Sequence, residues 1–176
     1  MEIFRYAEID STNSQCFRQF DLGQPTPFAV IAGTQTQGRG QFGRTWYSGD
    51  PRNLYLSVGF VPRQSPKNFQ NFSMLVTEKI ADFLQRNFHL KLGVKHPNDI
   101  HYQGKKLCGI LTESRISDGK ITFAVTGIGL NIGGDLHQFP QELRSKATTL
   151  SCCCGREILR EEVEEGMMRA MLSLLI

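Results

Sequence analysis

The stretch Gly38-Arg39-Gly40-Gln41-Phe42-Gly43-Arg44-Thr45-Trp46 constrains this chain more than any other part of it. Its glycines let the backbone turn tightly and approach a ligand closely. The two arginines offer planar, forked donors for an anion, and successive backbone N–H groups of such a loop can cradle phosphate oxygens. The alternative is a glycine-rich surface hairpin whose arginines are merely solvated. The glycine pattern alone leaves both interpretations open.

Two common phosphate-binding motifs are excluded at this loop. A Walker loop requires Gly-Lys followed by Ser or Thr, and no such tripeptide follows. The dinucleotide fingerprint requires a different glycine spacing and a helix directly behind it, and the sequence predicts no such helix.

The composition indicates an ordinary globular chain. Its 176 residues fit one domain better than two, and they can bury a single core. Hydrophobic residues make up 40% and charged residues 21%. A net charge of +3, without a long Lys/Arg block, does not indicate a nucleic-acid platform, so we predict no DNA partner. The sequence shows no signal peptide and no apolar run of about 18 residues, so no membrane association is expected.

The cysteines indicate a reducing compartment. There are five, an odd number, and Cys152-Cys153-Cys154 form a run that makes a poor disulfide framework. We therefore expect reduced thiols and a cytoplasmic location. The histidine and cysteine spacings also argue against a structural zinc site.

Periodicity predicts a sheet with helices packed on it. Apolar residues at helical spacing indicate a long helix after Pro66, and capping side chains indicate a short one after Ser11. Turn signals between the later strands indicate hairpins. We predict an α+β fold with a central mixed, mostly antiparallel sheet flanked by helices. The expected strands are 2–9, 28–32, 53–60, 91–95, 100–102, 106–113 and 121–130, and the last helix is expected over 156–175.

Two further stretches carry polar groups in unusual places. In Lys95-His96-Pro97-Asn98-Asp99 a lysine, an amide and a carboxylate surround a proline, although this pentapeptide by itself is typical of a turn. Lys106 enters an apolar strand, where a lysine is seldom buried without a partner. An anion would explain Lys106 better than solvation does, whereas Lys105 can simply be solvated in the turn.

A third stretch, Gly127-Ile128-Gly129-Leu130-Asn131, ends an apolar strand. By alternation, Phe123 and Val125 share a face with Gly127, Gly129 and Asn131. The two glycines then leave a bare patch on which a ligand could lie, with Asn131 at its edge. A bulge or a barrel-type bend is the alternative explanation.

These motifs, taken in order, resemble the biotin protein ligases. The resemblance rests on Ser11-Thr12-Asn13, the glycine loop, Lys95 to Asp99, Lys106-Leu107-Cys108-Gly109-Ile110-Leu111 and Gly127 to Asn131, and it covers residues from about 10 to 150. It implies the fold of class II synthetase-like ligases. It also implies a two-step activity, in which biotin and MgATP give biotinyl-5′-AMP and the biotinyl group then passes to one lysine of a biotin carboxyl carrier domain, for example that of acetyl-CoA carboxylase.

The resemblance implies roles for individual residues. Lys106 and Arg39 are the expected catalytic cations, and Asp99 is a candidate Mg²⁺ ligand. The implied biotin site consists of Ser11, Thr12, Asn13, Gln35, Gly38, Arg39, Gly40, Gln41, Lys106, Gly109, Gly127 and Gly129. The implied nucleotide site consists of Arg39, Arg44, Trp46, Asn98, Asp99, Lys106 and Asn131.

The sequence departs from the family pattern at several points. Gln41 and Phe42 stand where the loop commonly carries arginine, which removes two positive charges, and His96 replaces the usual tryptophan before Pro97. We predict a single catalytic domain over residues 1–176, with no N-terminal DNA-binding domain and no C-terminal β-barrel domain. A homodimer through a sheet edge is a further possibility that the sequence does not test.

Two other functions stay open at this point. A lipoate or octanoate ligase or transferase would share the fold and also modify a carrier lysine, but the expected triple-glycine loop followed by His-Asp is missing. A non-enzymatic biotin-binding or carrier-docking module is the second alternative. Pyrophosphate release with biotin, with lipoate and with neither separates the three.

Overall fold

A computed structural model describes residues 1–175 of the chain. It contains one seven-stranded sheet whose spatial order is β1-β2-β3-β7-β6-β5-β4. The strands are β1 Glu2–Ile9, β2 Phe28–Gln35, β3 Leu54–Phe60, β4 Gly93–Lys95, β5 Asp99–Tyr102, β6 Lys105–Ser117 and β7 Lys120–Leu130. The helices are α1 Thr12–Asp21, α2 Pro66–Phe69, α3 Phe72–Phe88, α4 Gln141–Arg144, α5 Leu150–Cys154 and α6 Glu161–Leu172.

The predicted fold class is confirmed. Strands β1 and β2 pair in parallel, and every other neighbouring pair in the sheet is antiparallel. The sheet is therefore mixed and mostly antiparallel, with helices packed on both of its faces. The predicted strands and the helix after Ser11 are found, although β2 and β6 run further than expected, to Gln35 and to Ser117.

Two predicted helices are shorter than expected. The helix after Pro66 is divided, because α2 ends at Phe69 and the next helix begins only at Phe72, whose ring stacks on that of Phe69 with centroids 4.9 Å apart. The last helix begins at Glu161 and not at residue 156. The cysteine run belongs to the separate helix α5, which ends at Cys154 and is followed by Gly155 in a left-handed conformation (φ 65°).

The two faces of the sheet are buried unequally. Helices α3 and α6 cover one face and form the larger core, which includes Ile80, Leu84 and Met171. Helix α1 covers part of the other face, where Phe28, Phe123 and Val125 form a smaller core. Because α1 covers only part of this second face, the sheet beyond it is free to line a cavity.

All five cysteines are free thiols in the described residues. Burial raises the pKa of the Cys16 and Cys108 thiols well above its ordinary range, so neither is a ready nucleophile. Within residues 1–175, no helix combines the length and the apolar character needed to cross a membrane.

Candidate active site

A cavity of about 570 Å³ lies on the α1 face of the sheet, under the glycine loop. Its size is in the range of small-molecule and cofactor sites. It is lined by sixteen of the predicted site residues: Ser11, Thr12, Asn13, Gln35, Arg39, Gly40, Gln41, Arg44, Trp46, Asn98, Asp99, Lys106, Gly109, Gly127, Gly129 and Asn131. The fold therefore brings together residues that lie far apart in the sequence.

Gly38 is the one predicted site residue outside this lining. It is buried, and a Cβ there would come within 2.4 Å of the Trp46 carbonyl oxygen and 2.5 Å of Ser48 Oγ. The backbone N–H of Trp46 also donates to the Gly38 carbonyl oxygen at 2.9 Å. Gly38 thus lets the two ends of the loop close against each other, and this is a structural role.

Neutral polar side chains at the start of α1 form a connected network. Ser11 caps the helix, and the Thr12 N–H and hydroxyl both donate to Gln35 Oε1, at 2.8 and 3.1 Å. Ser57 Oγ lies 2.7 Å from Thr12 Oγ1 and 2.6 Å from Asn13 Oδ1. Such hydroxyl and amide groups fix the orientation of a neutral polar ligand group without adding charge.

Glycines on β6 and β7 make room for Trp46. A Cβ at Gly129 would come within 2.5 Å of the indole, and a Cβ at Gly109 within 2.8 Å. The patch expected to be bare above Gly129 is therefore covered by Trp46 in this structure. Trp46 Nε1 is buried and has no hydrogen-bond partner among residues 1–175, so the ring offers an unused donor at the cavity wall.

Gly127 makes room for a different side chain, that of Asn13. A Cβ at this position would lie 2.3 Å from Asn13 Oδ1, closer than any real contact. The absence of a side chain at Gly127 lets α1 bring Asn13 down onto the sheet. The alternation predicted for β7 is confirmed, since Phe123 and Val125 fill the smaller core on the same face.

Lys106 lies at the centre of the charged part of the cavity. Its Nζ stands 2.7 Å from Asp99 Oδ1 and 5.2 Å from the centroid of the Trp46 ring. Asp99 Oδ1 is buried and makes no hydrogen bond of good angle, so the close approach is an ion pair and not a well-formed hydrogen bond. The prediction that Lys106 needs an anionic partner is thus consistent with an internal carboxylate as well as with a ligand.

A bulge in β6 turns Lys106 toward the cavity. Ile100 pairs with Cys108 but the next residue, His101, pairs with Lys106, so Leu107 is an extra residue on this strand. Cys108 and Ile110 point into the larger core. Without the bulge, alternation would place Lys106 on that same apolar face.

Arg39 and Arg44 come from opposite sides of the glycine loop. Arg39 donates from Nη1 to Ser14 Oγ at 2.6 Å and from Nη2 to Glu113 Oε2 at 2.9 Å. Arg44 Cζ lies 5.9 Å from the centre of the Phe42 ring, and Phe42 is 88% exposed. The loop closes on itself through the Gly40 N–H, which donates to the Arg44 carbonyl oxygen at 2.7 Å.

Asn98 and Asn131 support the cavity from the strand ends. Asn98 Nδ2 donates to the Ile110 carbonyl oxygen at 3.1 Å, and Asn131 Nδ2 donates to the Thr148 carbonyl oxygen at 3.1 Å. Both amides therefore hold backbone in place while they line the cavity.

Sequence reasoning missed several residues at this site. Glu113, Ser14 and Ser57 hold the predicted residues in place. The segment 145–147 also lines the cavity, and it is positioned because the Lys106 N–H donates to the Lys146 carbonyl oxygen at 2.7 Å. A mid-strand carboxylate was a usable signal for Glu113, whereas nothing in the sequence around residue 146 indicated this long-range contact.

Positive charge is concentrated at the cavity. It is lined by the cations Arg39, Arg44, Lys95, Lys106 and Lys146, whereas the carboxylates at the site are those of Asp99, in the lining, and Glu113, which pairs with Arg39. Such a concentration of cations favours an anionic ligand.

Whether the cavity suits Mg²⁺ depends on the donor atoms that line it. The described residues hold no cluster of three or more His, Cys, Asp and Glu side chains suited to a metal. Mg²⁺ usually keeps several waters and binds through one or two carboxylates plus substrate phosphates. Asp99 is the carboxylate in the lining that fits that limited role beside a polyphosphate, and its Oδ1 is already paired with Lys106 Nζ.

Fold and site together define an α+β domain that encloses a glycine-lined, cation-rich cavity. The model of the Biotin/lipoate A/B protein ligase family matches residues 6–131. The chain therefore belongs to this family.

Curated relatives resemble most of this chain. The bifunctional ligase/repressor BirA of Bacillus spizizenii is 30% identical over 160 residues, which cover 91% of this chain and 49% of the relative. The biotin–[acetyl-CoA-carboxylase] ligase of Mycobacterium tuberculosis is 32% identical over 150 residues, which cover 82% of this chain and 53% of the relative. The chain thus spans about half the length of these relatives.

Solved structures share the fold. The biotin protein ligase of Aquifex aeolicus in complex with biotin and ATP matches with a TM-score of 0.78 and 29% identity, covering 99% of this chain and 70% of that one. The biotin protein ligase of Leishmania major in complex with biotinyl-5-AMP matches with a TM-score of 0.79 and 25% identity, covering 99% of this chain and 74% of that one. The predicted resemblance is confirmed.

Proposed function

We propose that this domain catalyses the ATP-dependent attachment of biotin to a lysine of a biotin carboxyl carrier protein. The observation that carries the proposal is the pairing of two environments in one cavity. Neutral hydroxyl and amide groups surround Thr12, and the cations Arg39 and Lys106 stand beside them. Biotin has the same division, with a neutral ureido ring at one end and a carboxylate at the other.

The first step joins two anions. A biotin carboxylate oxygen attacks the α-phosphorus of ATP, the bond to the β-phosphate oxygen breaks, and pyrophosphate leaves with the electron pair. At about 4 Å and an effective dielectric constant near 20, each pair of negative charges repels by about 4 kcal/mol. Lys106 and Arg39 offset this repulsion and stabilise the negative charge that develops in the transition state.

Asp99 fixes the position of the Lys106 ammonium before the substrates bind. Because the ion pair spans β5 and β6, the cation does not depend on a mobile loop. Asp99 is also the residue that would hold Mg²⁺, and Mg²⁺ supplies charge neutralisation on the polyphosphate when bound. Arg44, Lys95 and Lys146 add positive charge for the remaining phosphate oxygens.

The second step consumes the activated biotin. A lysine amine of the carrier attacks the acyl carbon, the bond to the phosphate oxygen breaks, and AMP leaves together with a proton from the amine. No protein nucleophile is required, which agrees with the raised pKa of the buried Cys108 thiol. The glycine loop is the part of the site that covers the intermediate, since Gly40, Gln41 and Arg44 line the cavity.

The partner and location follow from this activity. The acceptor is a biotin carboxyl carrier domain, and the reaction takes place where ATP and reduced thiols are available, in the cytoplasm. We place no DNA-binding role on this domain, and a homodimer remains a prediction.

A transfer assay tests the proposal. The protein is incubated with MgATP, biotin and a carrier domain, and the carrier is weighed by mass spectrometry, with lipoate in place of biotin in a parallel reaction. We expect one biotinyl group on one lysine and no lipoyl group. Lipoyl transfer in place of biotinyl transfer would show a lipoate ligase, and biotin binding without pyrophosphate release would show a binding module.

A further inference from the structure

The Glu113 carboxylate joins two parts of the site that come from different elements. Its Oε2 accepts a hydrogen bond from Asn13 Nδ2 of α1 at 2.7 Å. Arg39 Nη2 of the glycine loop donates to both of its oxygens, at 2.9 and 3.2 Å. One carboxylate thus accepts hydrogen bonds from the helix and from the loop at the same time.

The place of Glu113 in the sheet makes this geometry rigid. It lies in the middle of β6, opposite Val125 of β7, on the same face as Gly109 and Leu111. Its side chain is 32% exposed, so it is half-buried against the sheet. A carboxylate only accepts hydrogen bonds, and the two partners here are both donors.

The contact leaves Arg39 able to bind a ligand. A guanidinium carries five N–H donors. The protein contacts of Arg39 use Nη1, toward Ser14, and Nη2, toward Glu113. Donors therefore remain for an anion, and the long side chain no longer has to give up its rotamer freedom at the moment of binding.

The contact also fixes the orientation of the Asn13 amide. Nδ2 donates to Glu113 and, at 3.3 Å, to the Leu111 carbonyl oxygen. The amide oxygen is thereby turned the other way, where it lies 2.6 Å from Ser57 Oγ. A neutral amide in place of the carboxylate would present an N–H toward these donors.

We infer that Glu113 is a positioning residue that sets Arg39 and Asn13 together and so fastens the glycine loop to α1 before substrates bind. For the identity of the ligand the inference rests on the proposed function: the ligand is a carboxylate that becomes an acyl adenylate. The fastening itself is a property of the protein without ligand and can be measured separately.

Hydrogen exchange of the ligand-free protein tests the fastening. We expect Glu113→Gln to raise the exchange rates of amides in the loop 38–45 about 5- to 20-fold, because the loop loses a charge-assisted contact to the sheet. Asp21→Asn is the matched control. Asp21 of α1 pairs at 2.5 Å with Arg115, which lies on β6 like Glu113, and this pair is outside the cavity lining. Equal loop exchange in Glu113→Gln and the parent would overturn the inference.

Kinetics test whether Glu113 acts through Arg39. In the pyrophosphate-release assay we expect Glu113→Gln to raise the KM for biotin about 5- to 20-fold and to change kcat by less than about threefold. In an Arg39→Ala background the same change should raise KM clearly less than it does in the parent, because the part of its effect that acts through Arg39 is already lost and only the part through Asn13 is left. A full additional effect in that background would overturn the inference.

Two further readouts keep the outcomes separate. Glu113→Asp retains the charge on a shorter side chain, and we expect it to restore part of the loop protection, whereas loss of protection equal to that of Glu113→Gln would count against a role for the charge. If the parent protein releases no pyrophosphate with biotin and MgATP, the proposed function fails, and the exchange experiment still decides whether Glu113 fastens the loop.

Discussion

Asp99 on β5 and Lys106 on β6 form an ion pair across neighbouring strands, with Oδ1 and Nζ 2.7 Å apart. The lysine side chain is 33% exposed and the aspartate side chain 19% exposed, so the pair lies at the boundary between the cavity and the protein. Two neighbouring strands therefore fix the lysine cation at the cavity wall. This arrangement gives the adenylation proposal its most direct test.

Replacing Lys106 with alanine should slow adenylation about 10²- to 10³-fold, because one fixed cation is lost where two anions meet. The measurement is pyrophosphate release at saturating biotin and MgATP. Lys105→Ala is the control, since Lys105 is exposed at the start of β6, next to Lys106. An adenylation rate equal to the parental one in Lys106→Ala, with Lys105→Ala also unchanged, would contradict the assigned role.

Gly129→Ala should displace Trp46. The new methyl group would come within 2.5 Å of the indole, so the ring has to move. Trp46 is the only tryptophan of the chain, and its fluorescence reports the change directly. We expect emission at longer wavelength and biotin affinity about 10-fold weaker or more.

Gly93→Ala is the control for this change. Its nearest neighbour to a new Cβ is the His101 carbonyl oxygen at 4.0 Å, which is an ordinary contact. The idea that Gly129 exists to seat Trp46 would be wrong if both variants kept the parental spectrum and affinity.

Gln41→Arg should slow the release of biotinyl-AMP about 5- to 30-fold. Gln41 lines the cavity, and a charge-assisted hydrogen bond to the phosphate contributes about 1–2 kcal/mol more than a neutral one. Stopped-flow displacement of the intermediate measures the rate. If the arginine variant releases it as fast as the natural protein, the missing charge at this position has no influence.

The loop over residues 36–52 should become more protected when biotinyl-AMP binds. Arg44 and Thr45 are exposed, and a bridge joins Thr45 to Arg39, the residue of this loop that Glu113 holds. Closing over a ligand orders these residues at a cost of about 1 kcal/mol or more per residue. Amide exchange with and without the intermediate tests this, and equal protection in both states would remove the idea of a lid.

Acid should destabilise the protein partly through Asp50. Hydrogen bonds from the Arg52 side chain hold the pKa of the Asp50 carboxyl below its ordinary range. A lowered pKa in the folded state means that this stabilisation is present above the ordinary value of about 3.9 and is lost as pH falls through the folded value.

Urea unfolding of Asp50→Asn measures this contribution. At pH 7 we expect a lower free energy of unfolding than in the parent, and the difference should shrink as pH falls below about 4. Asp118→Asn, in the exposed turn between β6 and β7, is the control. A constant difference between the Asp50 variant and the parent across this pH range would disprove the linkage.

The sequence predicted those elements whose signals are local. Period-two alternation gave β7 and its inward face, and the capping side chain of Ser11 gave the start of α1. The end of α2 at Phe69 was not predicted, because the packing of Phe60 of β3 against Phe69 and Phe72 is a tertiary contact. The same holds for the late start of α6.

The sequence by itself determined which groups can bind an anion: a glycine loop with two arginines, and a lysine at the start of an apolar strand. These features are residue types at fixed spacing, so they are visible without the structure. Only the tertiary structure decided how they meet. The bulge at Leu107 turns Lys106 from the core face to the cavity, and Glu113 reaches across 74 residues of sequence to hold Arg39. The bulge and this long-range pair depend on how the strands and α1 pack together, and local patterns do not encode that packing.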